Sequence, residues 1–309
     1  MLRLENVTKK YGKFIAVDNI SLNINEGEIF GFVGPNGAGK TTTLKMISTL
    51  LKPTSGEIFI NDIQVNENIK EVRDMIGYMP DFFGVYDSLR AEEYLDFYGD
   101  VAGLKKEERK VMIKDLLDLV ELSHKRKAYV DNLSRGMKQR LCLARSLIHN
   151  PSLLILDEPA SGMDPRARIQ MKDILKELKK MGKTILISSH ILSELSELCS
   201  HIGIIEDGKI VINGKVEDIM SEIYSGNNIK IKVLDNYDHT IQILKEYPKI
   251  GEVYNNDDYI EFTYDGDKEI RAKILKYLIE NNIPVTSFTD TEGKLEEVFM
   301  KVTRGDKDD

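Results

Sequence analysis

Gly34-Pro35-Asn36-Gly37-Ala38-Gly39-Lys40-Thr41 fits G-x-x-x-x-G-K-[ST], the phosphate-binding P-loop. The apolar run Ile29-Phe30-Gly31-Phe32-Val33 precedes it and reads as a buried strand. Thr42-Thr43-Leu44-Lys45-Met46-Ile47-Ser48 follows and reads as a helix. Strand, loop and helix in that order are what the loop needs. Glycines let successive backbone N–H groups turn inward without Cβ clashes. Those groups and the helix N-terminus then form an anion site. Lys40 is placed to reach the β- and γ-phosphates of a nucleoside triphosphate, and the Thr41 hydroxyl to ligate Mg²⁺.

The 309 residues suffice for about two domains. Charged residues make up 30% and hydrophobic ones 41%, an ordinary globular balance. The formal charge of −8 lends no support to a general nucleic-acid-binding role. No apolar run approaches the ~18 residues of a membrane span, and the stretch Met1 to Asn6 lacks the apolar core of a signal peptide. The expectation is a cytoplasmic chain that works at a membrane only through a partner. Cys142 and Cys199 form no C-x-x-C and read as two unligated thiols in a reduced compartment.

Working outward, Leu2 to Val7 alternates as a half-buried strand does, and Phe14 to Val17 and Ile20 to Ile24 read as two more strands. Tyr11, at the first turn, offers a ring that could stack on a base. Glu57 to Ile60 is a further strand, and Ile76 to Asp81 is a short one ending in a Pro-marked loop. From about 85 to 150 the pattern is helical: Ala91 to Val101, Lys105 to Leu122, and a third helix from Gly136. Leu153-Leu154-Ile155-Leu156-Asp157-Glu158 is a strand buried on both faces with two acids at its C-terminal end, where parallel sheets bind ligands. Pro165 starts a helix capped by Asp164 and stopped at Gly182. Thr184 to Ser189 is another buried strand ending at His190, and Ile191 to Leu198 looks helical. Asp207-Gly208 marks a hairpin. A helix from Val216 to Tyr224 closes this domain, residues 1–224, and Ser225 to Asn228 is read as the linker. Residues 225–309 restart as β-α-β-β-α-β, the order of a small ferredoxin-like domain, followed by a helix from Leu295 to Val302 and a charged tail.

Three residues complete a hydrolytic constellation. Asp157 is the second Mg²⁺ contact. Glu158 is a natural general base toward an attacking water. His190 is placed to hold the γ-phosphate and that water.

The stretch Leu133-Ser134-Arg135-Gly136-Met137 opens a helix shortly before the paired acids, and here the chain resembles the ATP-binding subunit of ABC transporters. The stretch is similar to that family's L-S-G-G-Q signature. The resemblance implies that Ser134 and the Gly136 backbone bind the γ-phosphate of ATP held on the opposite subunit. With one P-loop in the chain, a composite site then requires a homodimer. Ser161-Gly162-Met163-Asp164 is similar to the family loop that crosses the interface, with Asp164 as its acid. Tyr11 matches the adenine-stacking aromatic and His190 the switch histidine. The nucleotide-binding set is thus Tyr11, Gly34, Pro35, Asn36, Gly37, Ala38, Gly39, Lys40, Thr41, Thr42, Ser134, Gly136 and Asp164. The metal set is Thr41, Asp81 and Asp157. The implied fold is α/β: a P-loop NTPase of ABC type with an antiparallel β subdomain and a helical insertion, plus the small α+β C-terminal domain.

Three residues depart from the family pattern. Asp81 stands where Gln is usual, shorter and negatively charged. Arg135 replaces a glycine, and Met137 a glutamine whose hydrogen bond it cannot make. The C-terminal domain, ending in Leu295-Glu296-Glu297-Val298-Phe299, looks like that of exporter subunits whose channel is a separate integral membrane permease. Such a domain dimerises, regulates or merely stabilises. The expected function is an ATPase, with ATP and Mg²⁺, that powers export through that permease from the inner face of the cell membrane. An importer subunit and an ATPase acting on ribosomes or DNA are the alternatives. The second usually has two nucleotide domains or a coiled-coil insertion, and this chain shows neither. A kinase or GTPase leaves Leu133 to Met137 unexplained.

Overall fold

The structure, a computed structural model, describes all residues except 82, 83, 85, 87, 192–194, 196, 224–226, 257 and 291–309. It divides into two compact units, Met1–Val216 and Glu217–Asp309.

The first unit is built on unbroken apolar runs. β3 (Ile29–Val33), β7 (Leu153–Asp157) and β8 (Thr184–Ser189) are buried at every position, as strands covered on both faces must be. With β6 (Ile76–Met79), β9 (His201–Glu206) and β10 (Lys209–Lys215) they form a six-stranded sheet, order β10-β9-β3-β8-β7-β6. All neighbours are parallel except the β9–β10 hairpin. Asp207 (φ 46) and Gly208 (φ 81) make its tight turn, as the sequence predicts. Because β8 lies between β3 and β7, the C-terminal ends of those three strands share one edge.

A second, antiparallel sheet has the order β2-β1-β4-β5, from β1 (Leu2–Tyr11), β2 (Phe14–Ile24), β4 (Ser55–Ile60) and β5 (Ile63–Gln64). The two strands expected between Phe14 and Ile24 are one. A register shift absorbs the polar break: Val7 pairs with Ile20 but Lys9 with Val17. Asn19 turns at φ 52, and its N–H donates to the Thr8 hydroxyl. Leu2, Leu4, Ile58 and Ile60 of this sheet join Phe30, Phe32, Leu44 and Ile155 in one core. Each fully buried Leu, Ile or Phe contributes about 1.5–3 kcal/mol.

The helices are α1 (Lys40–Ile47), α2 (Ile69–Met75), α3 (Ala91–Val101), α4 (Lys106–Leu119), α5 (Arg135–Ser146) and α6 (Pro165–Lys180). Sequence periodicity misses α2, because Val72 is its single buried residue. It overruns α4, which ends before Glu121 takes φ 55. The first helix of the insertion, α3, matches its predicted bounds, and Glu93 accepts from the Arg90 N–H at its start. Most of the helix expected between Ile191 and Leu198 lies outside the described residues.

α7 (Val216–Ile223) begins at the last residue of the first unit, and the second unit continues with β11 (Asn227–Val233), α8 (Tyr237–Glu246), β12 (Ile250–Asn256), β13 (Tyr259–Tyr264), α9 (Lys268–Glu280) and β14 (Val285–Asp290). The sheet order β12-β13-β11-β14, antiparallel throughout, is the ferredoxin-like arrangement expected from the element order. Ile229, Ile231, Ile260, Phe262, Ile274 and Leu278 form its own core. The helix expected at Leu295 to Val302 lies outside the described residues. Among those described, no helix is long and apolar enough to cross a membrane.

Candidate nucleotide site

β3 delivers the chain into residues 34–41, where glycine is needed for two distinct reasons. At Gly34 a Cβ would stand 2.3 Å from the Ile205 carbonyl oxygen, so the loop must pass the β9 backbone bare. At Gly39, φ is 108 and a Cβ would stand 2.6 Å from the Ala16 carbonyl oxygen. Ala38 is buried, and its carbonyl accepts from the Gly208 N–H, tying the loop to the β9–β10 turn. No side chain caps α1 and no acid lies in its first turn, which leaves that N-terminus to an anion. The Lys40 ammonium donates to the carbonyls of Gly34 (2.6 Å) and Pro35 (3.2 Å) and lies 3.6 Å from Oε1 of Glu158. Burial lowers its pKa below the ordinary lysine value, against the attraction of Glu158 and Asp157.

Asp157, 1% exposed, ends β7. Its Oδ1 accepts from the Ser188 hydroxyl at 2.7 Å, and the Ser188 oxygen accepts from the Glu158 N–H at 3.0 Å. Ser188 is the ladder partner of Asp157, so one hydroxyl from β8 holds both acids in place. Glu158 turns out of the strand at φ 49, a sparsely populated conformation for a residue with a side chain. Its Oε2 meets Nδ1 of His190 at 2.8 Å.

One cleft is lined by Tyr11, Asn36, Gly37, Gly39, Lys40, Thr41, Thr42, Asp81, Glu158 and His190. Gly34, Pro35, Ala38 and Asp157 sit behind it, as the scaffold of the loop and the acid pair. The remaining predicted residues, Ser134, Gly136 and Asp164, line a second cleft, which shares no residue with the first. Ser134 caps α5, its Oγ accepting from the Met137 N–H at 3.3 Å. Asp164 caps α6, its Oδ1 accepting from the Ala167 N–H at 2.9 Å. A Cβ at Gly136 would meet that of Ala167 at 2.9 Å, so glycine here also lets α5 and α6 approach.

Sequence reasoning missed four residues. Phe14, 64% exposed, lines the first cleft as the cross-strand partner of Tyr11, which is 51% exposed. Two aromatics flanking a two-residue turn were the available signal. Ser161 lines the same cleft, and Ser188 joins the acids. Gln139, 3% exposed, donates to the Ser161 carbonyl at 3.0 Å. Ser161 belongs to the interface-like stretch Ser161-Gly162-Met163-Asp164 but was not singled out in it, and nothing local marks Ser188 or Gln139, because their partners Asp157 and Ser161 are remote in sequence.

Comparison with known proteins agrees with this geometry. The ABC transporter family profile matches residues 17–161, and that of the DrrA1-3-like ATP-binding protein C-terminal domain matches residues 214–303. The chain is 37% identical to the bacitracin transport ATP-binding protein BcrA of Bacillus licheniformis over 308 residues, covering 99% of this chain and 98% of that one. It is 31% identical to the Nod factor export ATP-binding protein I of Cupriavidus metallidurans over 313 residues, covering 98% and 97%. The dimeric post-hydrolysis structure of the ATP-binding cassette MJ0796 bound to ADP and Pi superposes with a TM-score of 0.64 at 30% identity, over 70% of this chain and 99% of that one. The phosphate loop, the acid pair at the sheet edge and full-length similarity converge: this chain belongs to the ABC transporter ATP-binding proteins and is an ATP-hydrolysing subunit of that family.

Proposed function

We propose that two copies of this chain close on two ATP molecules, and that hydrolysis reopens them to drive export through a separate integral membrane permease. One observation carries the reading: the P-loop cleft holds the candidate base, whereas Ser134, Gly136 and Asp164 line a different cleft. Each is half of a phosphate site, and a two-fold pair of chains supplies both halves twice. The dimeric cassette similar to this chain supports the arrangement. The word export in the name of one relative supports the direction of transport. Peripheral placement on the inner face of the membrane follows from attachment to the permease.

In the first cleft Tyr11 stacks on adenine, with Phe14 beside it. The backbone of Asn36, Gly37 and Gly39 and the first turn of α1 from Thr41 and Thr42 enclose the phosphates. Lys40 exchanges its carbonyl partners for the β- and γ-phosphate oxygens. Glu158 accepts the proton of the attacking water, and His190 orients that carboxylate. Ser134, the Gly136 N–H and Asp164 face the nucleotide of the partner.

The donors suit Mg²⁺. Thr41 and Asp81 line the cleft with Asp157 behind them, all hard oxygen ligands. Among the described residues no cluster of three or more His, Cys, Asp or Glu forms a metal site, and Mg²⁺ bound with phosphates needs only one or two protein carboxylates. Thr41, Asp157 and Asp81 would hold it, and it would neutralise charge on the transferring phosphoryl group.

Glu158→Gln tests the reading, because it keeps shape and removes the base. With ATP and Mg²⁺ it should elute from size exclusion with light scattering at twice the monomer mass. A monomer at saturating ATP sinks the composite site. Affinity purification from detergent-solubilised membranes should recover a multispanning protein. Recovery of ribosomes or DNA instead would favour the rival function.

A further inference from the structure

Two contacts join the start of α5 to the loop 161–164. Gly162 has φ +65, and a Cβ there would stand 2.3 Å from Cζ of Arg135 and 2.5 and 2.6 Å from its two terminal nitrogens. Near-equal distances place the face of the guanidinium against the bare Cα. A planar, weakly hydrated cation makes such a stack and an ammonium does not. Among the described residues Arg135 forms no ion pair, so no carboxylate accounts for this position. One turn further on, Gln139 donates to the Ser161 carbonyl at 3.0 Å, while its Oε1 is buried with no partner. A single hydrogen bond leaves the loop free to pivot, and Arg135 on Gly162 supplies a second point of attachment. Beyond Ser161 the connection continues into the first cleft. The Ser161 N–H donates to the Glu158 carbonyl at 3.0 Å, and Ser161 lines the cleft with Lys40 and His190.

We propose that Arg135 is a positioning residue: seated on Gly162, it locks loop 161–164 to the first turn of α5. The Ser134–Gly136 turn, which faces one nucleotide, and Glu158, which acts on the other, then move as one body. This inference rests on the two-site dimer of the proposed function. It explains together a bulky residue at 135 and a glycine at 162, since any side chain at 162 evicts the guanidinium.

The test compares Arg135→Gly, Arg135→Lys, Gly162→Asn and the double variant Arg135→Gly/Gly162→Asn. Asn accepts a positive φ more readily than most residues, so Gly162→Asn displaces the flexible tip of Arg135 with little backbone strain. Displacing a catalytic carboxylate slightly costs between about tenfold and 10²-fold in rate, and each single variant should lose kcat in that range with KM for ATP within about twofold. The double variant should be no slower than the slower single one, and Arg135→Lys should not rescue. In the Glu158→Gln background every variant should still form the ATP-trapped dimer. Wild-type kcat for Gly162→Asn, or additive losses in the double variant, overturns the positioning role while leaving the dimer intact. A raised KM in Arg135→Gly with Gly162→Asn silent overturns it in favour of direct phosphate contact. Failure of Glu158→Gln alone to dimerise overturns the two-site reading, and this inference with it.

Discussion

Glu158 and His190 meet across the ends of two hydrogen-bonded parallel strands, Oε2 to Nδ1 at 2.8 Å. The imidazole is 43% exposed and the carboxylate 13%, so the histidine holds the acid from the solvent side. Glu158 also faces Lys40 at 3.6 Å, and removal of His190 would let it collapse onto that ammonium. His190→Ala should therefore lower kcat by at least about 10²-fold, the low end for losing a group that positions proton transfer. Because the ring is exposed, the melting temperature should hardly move. Phosphate release beside a thermal melt checks both, and a large loss of stability would assign His190 to packing instead.

Lys40 combines a proposed binding role with a buried charge. Burial outweighs the pull of Glu158 and Asp157, so its folded-state pKa lies below the ordinary lysine value of 10.5. Between the lowered value and 10.5 the unfolded chain binds more protons, so folding stability gains with rising pH in that window. The penalty is complete below the folded pKa and gone above the unfolded one. Lys40→Met should abolish measurable ATP binding by calorimetry. It should also flatten that alkaline rise in denaturant titrations and leave stability near pH 7 equal or higher.

Asp164 has a structural role that its proposed interface role must be separated from. Its carboxylate caps α6 through the Ala167 N–H. Asp164→Ala should cost about 1 kcal/mol, the usual loss for an N-cap, while Asp164→Asn keeps most of it. Stability by urea unfolding and dimer formation in the Glu158→Gln background distinguish the two. Asn that is stable but fails to dimerise supports the interface role. Asn that matches wild type in both leaves Asp164 a cap.

The cysteines should be inert in the native state. Burial pushes the Cys142 thiol up to about 11 and the Cys199 thiol up to about 12. The thiolate is the nucleophile, so at pH 8 iodoacetamide should label neither in the folded protein and both after unfolding. Mass spectrometry reads the result. Rapid native labelling of Cys199 would mean that its surroundings open in solution.

Most of the proposed nucleotide-binding residues are named by the sequence because their requirements are local. The P-loop needs glycine, lysine and threonine within one short turn, and residues 34–41 supply them in order. Strands buried on both faces are written as consecutive apolar residues, which placed Asp157, Glu158 and His190 at strand ends. Weakly patterned pieces escaped: α2, with its single buried residue, and the continuity of β2 across a register shift.

By itself, the sequence determined the chemical inventory: a phosphate loop, an acid pair, a signature stretch and an α+β second domain, each coded by neighbours along the chain. Only the tertiary structure decided who meets whom. Setting β8 between β3 and β7 brings Glu158 between Lys40 and His190, hangs both acids on Ser188, and leaves Ser134, Gly136 and Asp164 lining a separate cleft. The physical reason is that strand order and helix packing are settled by burial of the whole core. Contacts such as Ser188 with Asp157, Gln139 with Ser161 and Arg135 on Gly162 join residues with no local pattern to announce them.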